Sequence, residues 1–367
     1  MKITILTNIP SPYRVDFFRY LQSEYSEHEF HIIYSAAGLS DRSWSVSNEK
    51  LIHSHFLKTK TITIKGKMDA KHIHITMNTK KILSSLHPDI IICSEYNPTI
   101  LQAIAWAKHH HVPYISWTDG TLFSERNIIF LQKLSRKYVI KGASAFIASS
   151  SRSKEAQIAY GADIKAVFIS SLTVDIHKYL FTRNTYCNQK LLYVGSLSER
   201  KGLDLLFHAL PYVKGDYHLT LIGDGDKKSE LISLAETLQL TDRITFAGYL
   251  EGSSLEEVYH THDIFILPTR EDCFGLVILE AMCASMPVIS SCYADGAYDL
   301  IQDQVSGLIV NPYQPESFAR TIDILLADAT KVKYMGTNAY QKALNYDFGI
   351  VSKGFLDAIA YISDKIS

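Results

Sequence analysis

Cysteine and tryptophan are scarce in this chain: 367 residues contain five Cys and three Trp. Cys93, Cys187, Cys273, Cys283 and Cys292 are odd in number and form no Cys-x-x-Cys pair, which argues against a disulfide framework or a cysteine zinc site. They read as reduced and structural. No window approaches 18 uninterrupted apolar residues, so no transmembrane helix is expected. The N-terminus, MKITILTNIPSPYR, reads as entering a strand rather than a signal peptide, and a soluble, cytoplasmic protein is expected. Histidines cluster at His53/His55, His72/His74 and residues 109–111, but neighbours one or two apart do not share a helix face. Lacking metal-ligand spacing, these clusters read as surface or linker positions.

A net charge of −1 shows no excess of either sign, and no nucleic-acid partner is expected. The balance hides an asymmetry. Residues 1–170 hold 21 Lys+Arg against 13 Asp+Glu, and residues 171–367 hold 16 against 25, so the halves carry +8 and −9. Between Lys50 and Lys81 there are eight lysines and one acid, Asp69, interleaved with Ile62, Ile64, Ile73 and Ile75. A solvated surface is the plain reading of that stretch. A basic face that meets anionic lipid or pyrophosphate is the other, at roughly 1 kcal/mol per cation near such a surface.

A chain of this length exceeds what one hydrophobic core usually covers, so two domains are expected. Short β-rich runs alternate with helical patterns: KITILT, FHIIY, DIIIC, PYISW, AFIAS and VFIS, then KLLYVG, YHLTLI, RITFAG, DIFILP, PVISS and GLIVN. Such alternation predicts parallel sheets covered by helices on both faces. The polar, irregular stretch between Leu172 and Gln189 predicts the boundary. The expected division is 1–172, 173–346, and a terminal helix over 347–367 with apolar Phe348, Ile350, Val351, Phe355, Ile359 and Ile362. Doubly wound sheets bind ligands outside the carboxyl ends of their strands, and every motif below lies at such an end.

The most informative segment is EDCFGLVILEAMCASMPVI, Glu271 to Ile289. It follows a buried-strand pattern and sets Asp272 and Glu280 eight positions apart around a Phe-Gly turn that opens a helix. Free amides of Phe274, Gly275 and Leu276, beside Cys273, would offer a phosphate site at the helix start. Glu280, two turns in, would reach ribose hydroxyls. Either carboxylate alone would be ordinary: an acid near a helix start stabilises it, and a helical Glu is usually solvated. Together with the Ala-Met and Pro-Val-Ile that follow, the segment resembles the signature of the retaining glycosyltransferases of family 4, within glycosyl transferases group 1. That resemblance implies an α/β fold of the GT-B type: two facing doubly wound Rossmann-like domains with parallel sheets, acceptor on the first and nucleotide-sugar donor on the second. It also implies that the terminal helix crosses back to the first domain.

Further segments extend the likeness. LLYVGSLSERKGLDLLFHAL resembles the family's Val-Gly-Arg-Leu…Lys-Gly hallmark, whose Arg and Lys clamp the donor diphosphate. Lys201 matches the Lys, and Ser196 stands where the Arg would be. Either Arg200 supplies the missing cation or the phosphate rests on Lys201 and helix amides. The Gly-rich turn LIGDGD with Gly223 resembles the family's segment beside the nucleotide, although Gly-Asp-Gly is also an ordinary turn. FAGYLEG resembles the loop that reads the base, with Tyr249 or Leu250 against the ring. In the closing segment Asp299 takes the place of a common Glu, and Ser285 replaces a usual Gly.

The first domain departs more. Its NIPSPYRVDFF loop lacks the Gly-Gly pair of many relatives, and Pro10 and Pro12 stiffen it. Arg14 there either meets donor phosphate or an acidic acceptor, or is a surface Arg. Asp119 occupies the place of a His that relatives often carry near the reacting sugar. It would hydrogen-bond a sugar hydroxyl, support developing positive charge, or cap the turn before Gly120. Glu95, after DIIIC, is a second acceptor-side candidate. With Asp119, Asp272 and Lys201 as the catalytic set, the resemblance implies attack by an acceptor hydroxyl on the anomeric carbon with retention. Rate would come from stabilising the leaving diphosphate and positioning the acceptor. No cofactor and no metal are expected, since Lys201 and helix amides would neutralise the diphosphate and no acidic DxD-type site stands out. The implied setting is assembly of bacterial lipopolysaccharide, capsule or exopolysaccharide on a glycan or lipid-linked glycan acceptor. The basic first domain would touch the cytoplasmic face of the inner membrane. Two other readings stay open: a nucleotide-sugar 2-epimerase of the same fold, and a non-catalytic partner subunit encouraged by the substitutions at Ser196, Asp272, Asp119 and Ser285.

Overall fold

All twelve apolar runs form strands in the computed structural model, which describes residues 1–38, 51–64, 66, 68, 71–183, 186–187 and 189–366. The chain divides into two units. The first comprises Met1–Gly66, Ala70–Val174 and Phe348–Ser367, and the second is built on Asp175–Asp347.

The first unit is a seven-stranded parallel sheet of order β3-β2-β1-β6-β7-β8-β9. Its strands are β1 (Lys2–Thr7), β2 (Glu29–Tyr34), β3 (Ser54–Phe56), β6 (Ile90–Ser94), β7 (Tyr114–Thr118), β8 (Ala145–Ala148) and β9 (Val167–Ile169). Because successive side chains point to opposite faces, β6 sends Ile90 and Ile92 into one core and Ile91 and Cys93 into the other. Burial on both faces is why these strands read as continuous apolar runs rather than as alternating ones. The terminal helix Phe348–Ile366 packs in this unit. Val351, Phe355, Ile359 and Ile362, three or four apart, join the core formed by Ile3, Ile5, Phe18 and Trp117. Full burial of one such side chain stabilises by roughly 1.5–3 kcal/mol. Gly354 lets the helix approach β9, where a Cβ would collide with the Ile169 carbonyl, and Ser170 Oγ donates to the Val351 carbonyl at 2.9 Å. Ile350, read as apolar packing, instead lies 55% exposed on the helix's outer side.

Parallel strands do not account for the whole unit. The basic stretch forms an antiparallel hairpin, β4 (Thr59–Ile64) with β5 (Lys71–Thr76), in register Ile62↔Ile73. The period-2 pattern of TKTITI and KHIHIT carries that pairing, which reading the stretch only as a charge run overlooked. Ile62, Ile64 and Ile75 are exposed on it. Lys50, Lys65, Lys67 and Asp69 of the basic stretch lie outside the described residues.

The second unit holds a six-stranded parallel sheet, order β12-β11-β10-β13-β14-β15. The strands are β10 (Lys190–Val194), β11 (His218–Ile222), β12 (Ile244–Gly248), β13 (Ile264–Leu267), β14 (Val288–Ser291) and β15 (Gly307–Val310). In both sheets the chain starts near the middle, runs to one edge and then returns to fill the other. The switch points therefore lie between β1 and β6 and between β10 and β13, where crevices open at the strands' carboxyl ends. Among the described residues no helix is long and apolar enough to cross a membrane.

Candidate functional site

In the second unit the segments after β10 and β13 are locked together by backbone contacts. Gly202 is left-handed (φ +66°), and a Cβ there would collide with the Pro268 carbonyl. Gly223 (φ +133°), after β11, would likewise collide with the Gly195 carbonyl. Only glycine permits both approaches. The Arg200 carbonyl accepts from Arg270 N at 2.8 Å and from Thr269 Oγ1 at 3.0 Å. The Arg270 guanidinium holds Asp204 through two bonds, 2.7 and 2.6 Å, and donates to the Glu199 carbonyl at 2.8 Å. This two-pronged grip fixes the turn that carries Arg200 and Lys201.

Those two cations converge on Asp272. Lys201 Nζ is 2.5 Å and Arg200 Nη1 3.7 Å from Asp272 Oδ2, and Arg200 also donates to the Glu271 carbonyl at 3.0 Å. The Asp272 side chain is 13% exposed. Burial would raise its pKa, but Lys201, Arg200 and the Phe274 amide hold it below the usual carboxylate range. Two cations thus converge on one carboxylate at the switch point. Phe274 is a correction: its amide is not free, because it turns back to Asp272 Oδ1 at 3.4 Å, as in an Asx turn. Gly275 caps the Leu276–Cys283 helix in the left-handed conformation (φ +81°), leaving the amides of Gly275 and Leu276 at the helix start. Cys273, between Asp272 and Phe274, is half-buried. Ser196 carries no charge into this group; its Oγ lies 3.2 Å from Ser198 Oγ and its carbonyl accepts from Tyr193 at 2.7 Å.

Glu280 is not a solvated helical carboxylate. It accepts a 2.6 Å bond from the hydroxyl of fully buried Tyr259, and burial pushes its pKa up to about 7 against that bond. No spacing rule links Tyr259 to Glu280. A buried Tyr needs a partner for its hydroxyl, and that need is the only sequence-level hint. Tyr249 is exposed beyond β12, its hydroxyl donating to Glu251 at 3.1 Å, and Leu250 beside it is half-buried. Gly223 N bonds the Gly248 carbonyl at 2.8 Å, which ties their loop to the Gly-rich turn.

In the first unit the structure brings Arg14, Glu95 and Asp119 together at the ends of β1, β6 and β7. Arg14 is no surface residue. Only 7% exposed, it donates to Thr7 Oγ1 at 2.6 Å and Ser94 Oγ at 2.7 Å, and it stacks 4.7 Å over Trp117. Its Nη2 stands 4.0 Å from Glu95 and 3.9 Å from Asp119. The guanidinium is thus committed to this cluster. Glu95 adopts φ +74°, a left-handed conformation unusual for a non-glycine residue. Burial first, then the Asp119 charge and a hydrogen bond to it, push its pKa well above the ordinary carboxylate range despite Arg14. The Glu95 carboxyl is thereby biased toward its neutral form. The turn before Gly120 is capped by Thr118, whose Oγ1 accepts from Gly120 N at 3.0 Å, and not by Asp119. Among the described residues neither cluster assembles a group of metal-ligating side chains; the group that does form lies elsewhere in the first unit.

Residues 187–342 match the family model of glycosyl transferases group 1. The chain is 32% identical over 151 residues to an uncharacterized glycosyltransferase of Methanocaldococcus jannaschii, covering 41% of this chain and 38% of that protein. It is 33% identical over 135 residues to the lipopolysaccharide core biosynthesis glycosyltransferase LpsE of Rhizobium meliloti, 37% of this chain and 38% of the relative. In the first curated relatives the match spans only 29–38% of their own length. Over its whole length the fold is similar to that of Anabaena HepE in complex with UDP and glucose, with a TM-score of 0.75, 19% identity, and 98% of this chain and 99% of that one covered. The chain thus has the GT-B architecture, and its residues 187–342 are similar to glycosyl transferases group 1.

Proposed function

We propose that the protein is a retaining, nucleotide-sugar-dependent glycosyltransferase of family 4 that works without a metal or cofactor in bacterial surface polysaccharide assembly. The observation that carries this reading is the convergence of Lys201 and Arg200 at Asp272, with Glu280 in the helix that follows it. Lys201 and Arg200 neutralise the diphosphate, Asp272 holds the cations and a sugar hydroxyl, and Glu280 accepts from the ribose. Tyr249 or Leu250 lies against the base. Solved neighbours hold UDP and UDP-glucose, which supports a nucleotide-sugar donor. LpsE supports a surface-glycan acceptor. The Arg14, Glu95 and Asp119 cluster suits that acceptor, because a carboxyl biased toward its neutral form can donate to a hydroxyl as well as accept from one. In the reaction the acceptor oxygen bonds to the anomeric carbon as the carbon–diphosphate bond breaks. The diphosphate leaves with the electron pair and receives the acceptor's proton. Peripheral contact with an anionic membrane, through the basic first unit at the cytoplasmic face of the inner membrane, fits a lipid-linked acceptor.

Proton NMR of the purified chain with a panel of nucleotide sugars, with and without a lipid-linked glycan extract, tests this proposal. Acceptor-dependent nucleotide release with a retained anomeric signal is expected. An epimerised sugar without acceptor would convert the reading to a 2-epimerase. Binding without turnover would convert it to a non-catalytic subunit.

A further inference from the structure

The amino ends of β2 and β3 bring together four residues of metal-ligand type. Glu29 and His31 are two apart on β2, so they share a face of the sheet; His55 lies on the neighbouring β3 and His53 just before it. The strands are parallel, paired Ile32↔Ser54 and Ile33↔His55, and Ile32 N bonds the His53 carbonyl at 3.0 Å. One ligand atom from each of Glu29, His31 and His53 lies within 4.8 Å of the others. His31 Nε2 and Glu29 Oε1 are 2.8 Å apart, and the rings of His31 and His53 stand 4.7 Å centroid to centroid. The remaining nitrogen of His31, Nδ1, faces His55 Nε2 at 3.2 Å. Sequence spacing missed the group because its members come from two strands 22 or more residues apart in the chain.

We propose that Glu29, His31 and His53 form a divalent metal site, with His55 as the outer partner that orients His31, and that the ion pins edge strand β3 to β2. Two imidazoles and a carboxylate suit a borderline ion such as Zn²⁺, with water in the fourth position. Bond lengths of about 2.0–2.2 Å place tetrahedral ligand atoms roughly 3.3 Å apart, so the three atoms need to close by no more than about 1.5 Å. His31 is 5% exposed and anchors the group, whereas the Glu29 side chain, 48% exposed, leaves an entry path from solvent. Lys2 approaches the other Glu29 oxygen, Oε2, at 3.9 Å, leaving Oε1 to the metal. A bond from His31 Nδ1 to a second group is the arrangement that fixes the tautomer of a metal-bound imidazole. His31 stays in place without the ion because its two nitrogens already have partners.

The test uses the metal alone on the purified full chain. Equilibrium dialysis against Zn²⁺ is expected to give one tightly bound ion per chain, and Co²⁺ in its place is expected to give visible absorption of low-symmetry coordination. Zn²⁺ should raise Tm with concentration and slow hydrogen exchange at residues 54–56. Glu29→Gln and His53→Asn change exposed side chains that folding does not need, and each should weaken Zn²⁺ binding at least tenfold. His55→Gln should weaken it by roughly 10–100-fold. A paired His72→Asn, His74→Asn variant should bind as the parent does. The proposal is overturned by absence of 1:1 binding, or by unchanged affinity in Glu29→Gln and His53→Asn.

Discussion

The two polar clusters occupy equivalent places, each at the switch point of a parallel sheet, yet their charge is built in opposite senses. Around Asp272 two cations meet one carboxylate. Around Arg14 two carboxyls meet one cation, and one carboxyl is driven toward its neutral form by burial and by its neighbour. Strand ends supply only a crevice and loop positions; the side chains placed there decide what it attracts. Converging cations suit a diphosphate, while a carboxyl driven toward its neutral form suits neutral hydroxyls. The clusters also differ in how they are held. Arg14 is fixed by its own bonds to hydroxyls on two strand ends, whereas Arg200 and Lys201 are fixed through their backbone, by Thr269 and Arg270.

That difference predicts different failures. Arg14→Ala removes the partner of two partly buried carboxyls and should destabilise the chain by about 3–5 kcal/mol, the usual consequence of breaking a buried ion cluster. Urea denaturation would measure it, and a loss below about 1 kcal/mol would mean that Arg14 does not organise the three strand ends. Lys201→Ala should destabilise less than Arg14→Ala, since Asp272 keeps Arg200 and the Phe274 amide. Its effect falls on function: UDP binding by calorimetry should weaken at least tenfold, and any transfer rate should fall by about 10²–10³, roughly 2.7–4 kcal/mol. Stability loss without a binding defect would reverse the contrast.

Glu280 gives a pH signature. Its folded pKa, about 7, lies above that of an unfolded Glu, so the folded state binds the proton more tightly. Burying the charge costs stability above pH 7, and that cost disappears as pH falls through 7 toward about 4.3. Glu280→Gln should therefore be more stable than the parent at pH 8 and should lose most of that advantage by pH 5. It should bind UDP more weakly at pH 8, where the ionised carboxylate accepts from ribose. Equal thermal midpoints for the two proteins at both pH values would refute the assignment. The smallest effect is expected at Ser285. It is left-handed (φ +56°), where glycine is favoured, but its Oγ donates to the Phe181 carbonyl at 2.7 Å. Relief of backbone strain and loss of that bond, each about 1 kcal/mol, should nearly cancel in Ser285→Gly. A Tm change of several degrees would show that one of the two dominates.

Much of this architecture was legible in the residues. Runs such as DIIIC and DIFILP form strands wherever both sheet faces are covered, because only apolar side chains are stable there. The segments around Lys201 and Asp272 stood out as a candidate site through Gly, Lys and acid at a strand end. Less legible was the β4–β5 hairpin, whose alternation was masked by its lysines. The burial of Arg14 was equally hidden, because Thr7, Ser94 and Trp117 reach it from three different strands.

The sequence by itself determined periodicity, glycine placement and the order of strands and helices, which are local properties of a chain and its solvent. It therefore specified two parallel α/β units and the loops that carry charge. Only the tertiary structure decided which charges meet: Arg200 beside Lys201 on Asp272, Tyr259 on Glu280, Glu95 beside Asp119, and His31 between Glu29, His53 and His55. Partners such as these lie far apart in the chain, and their ionisation depends on burial and distance, quantities that exist only after the strands have packed.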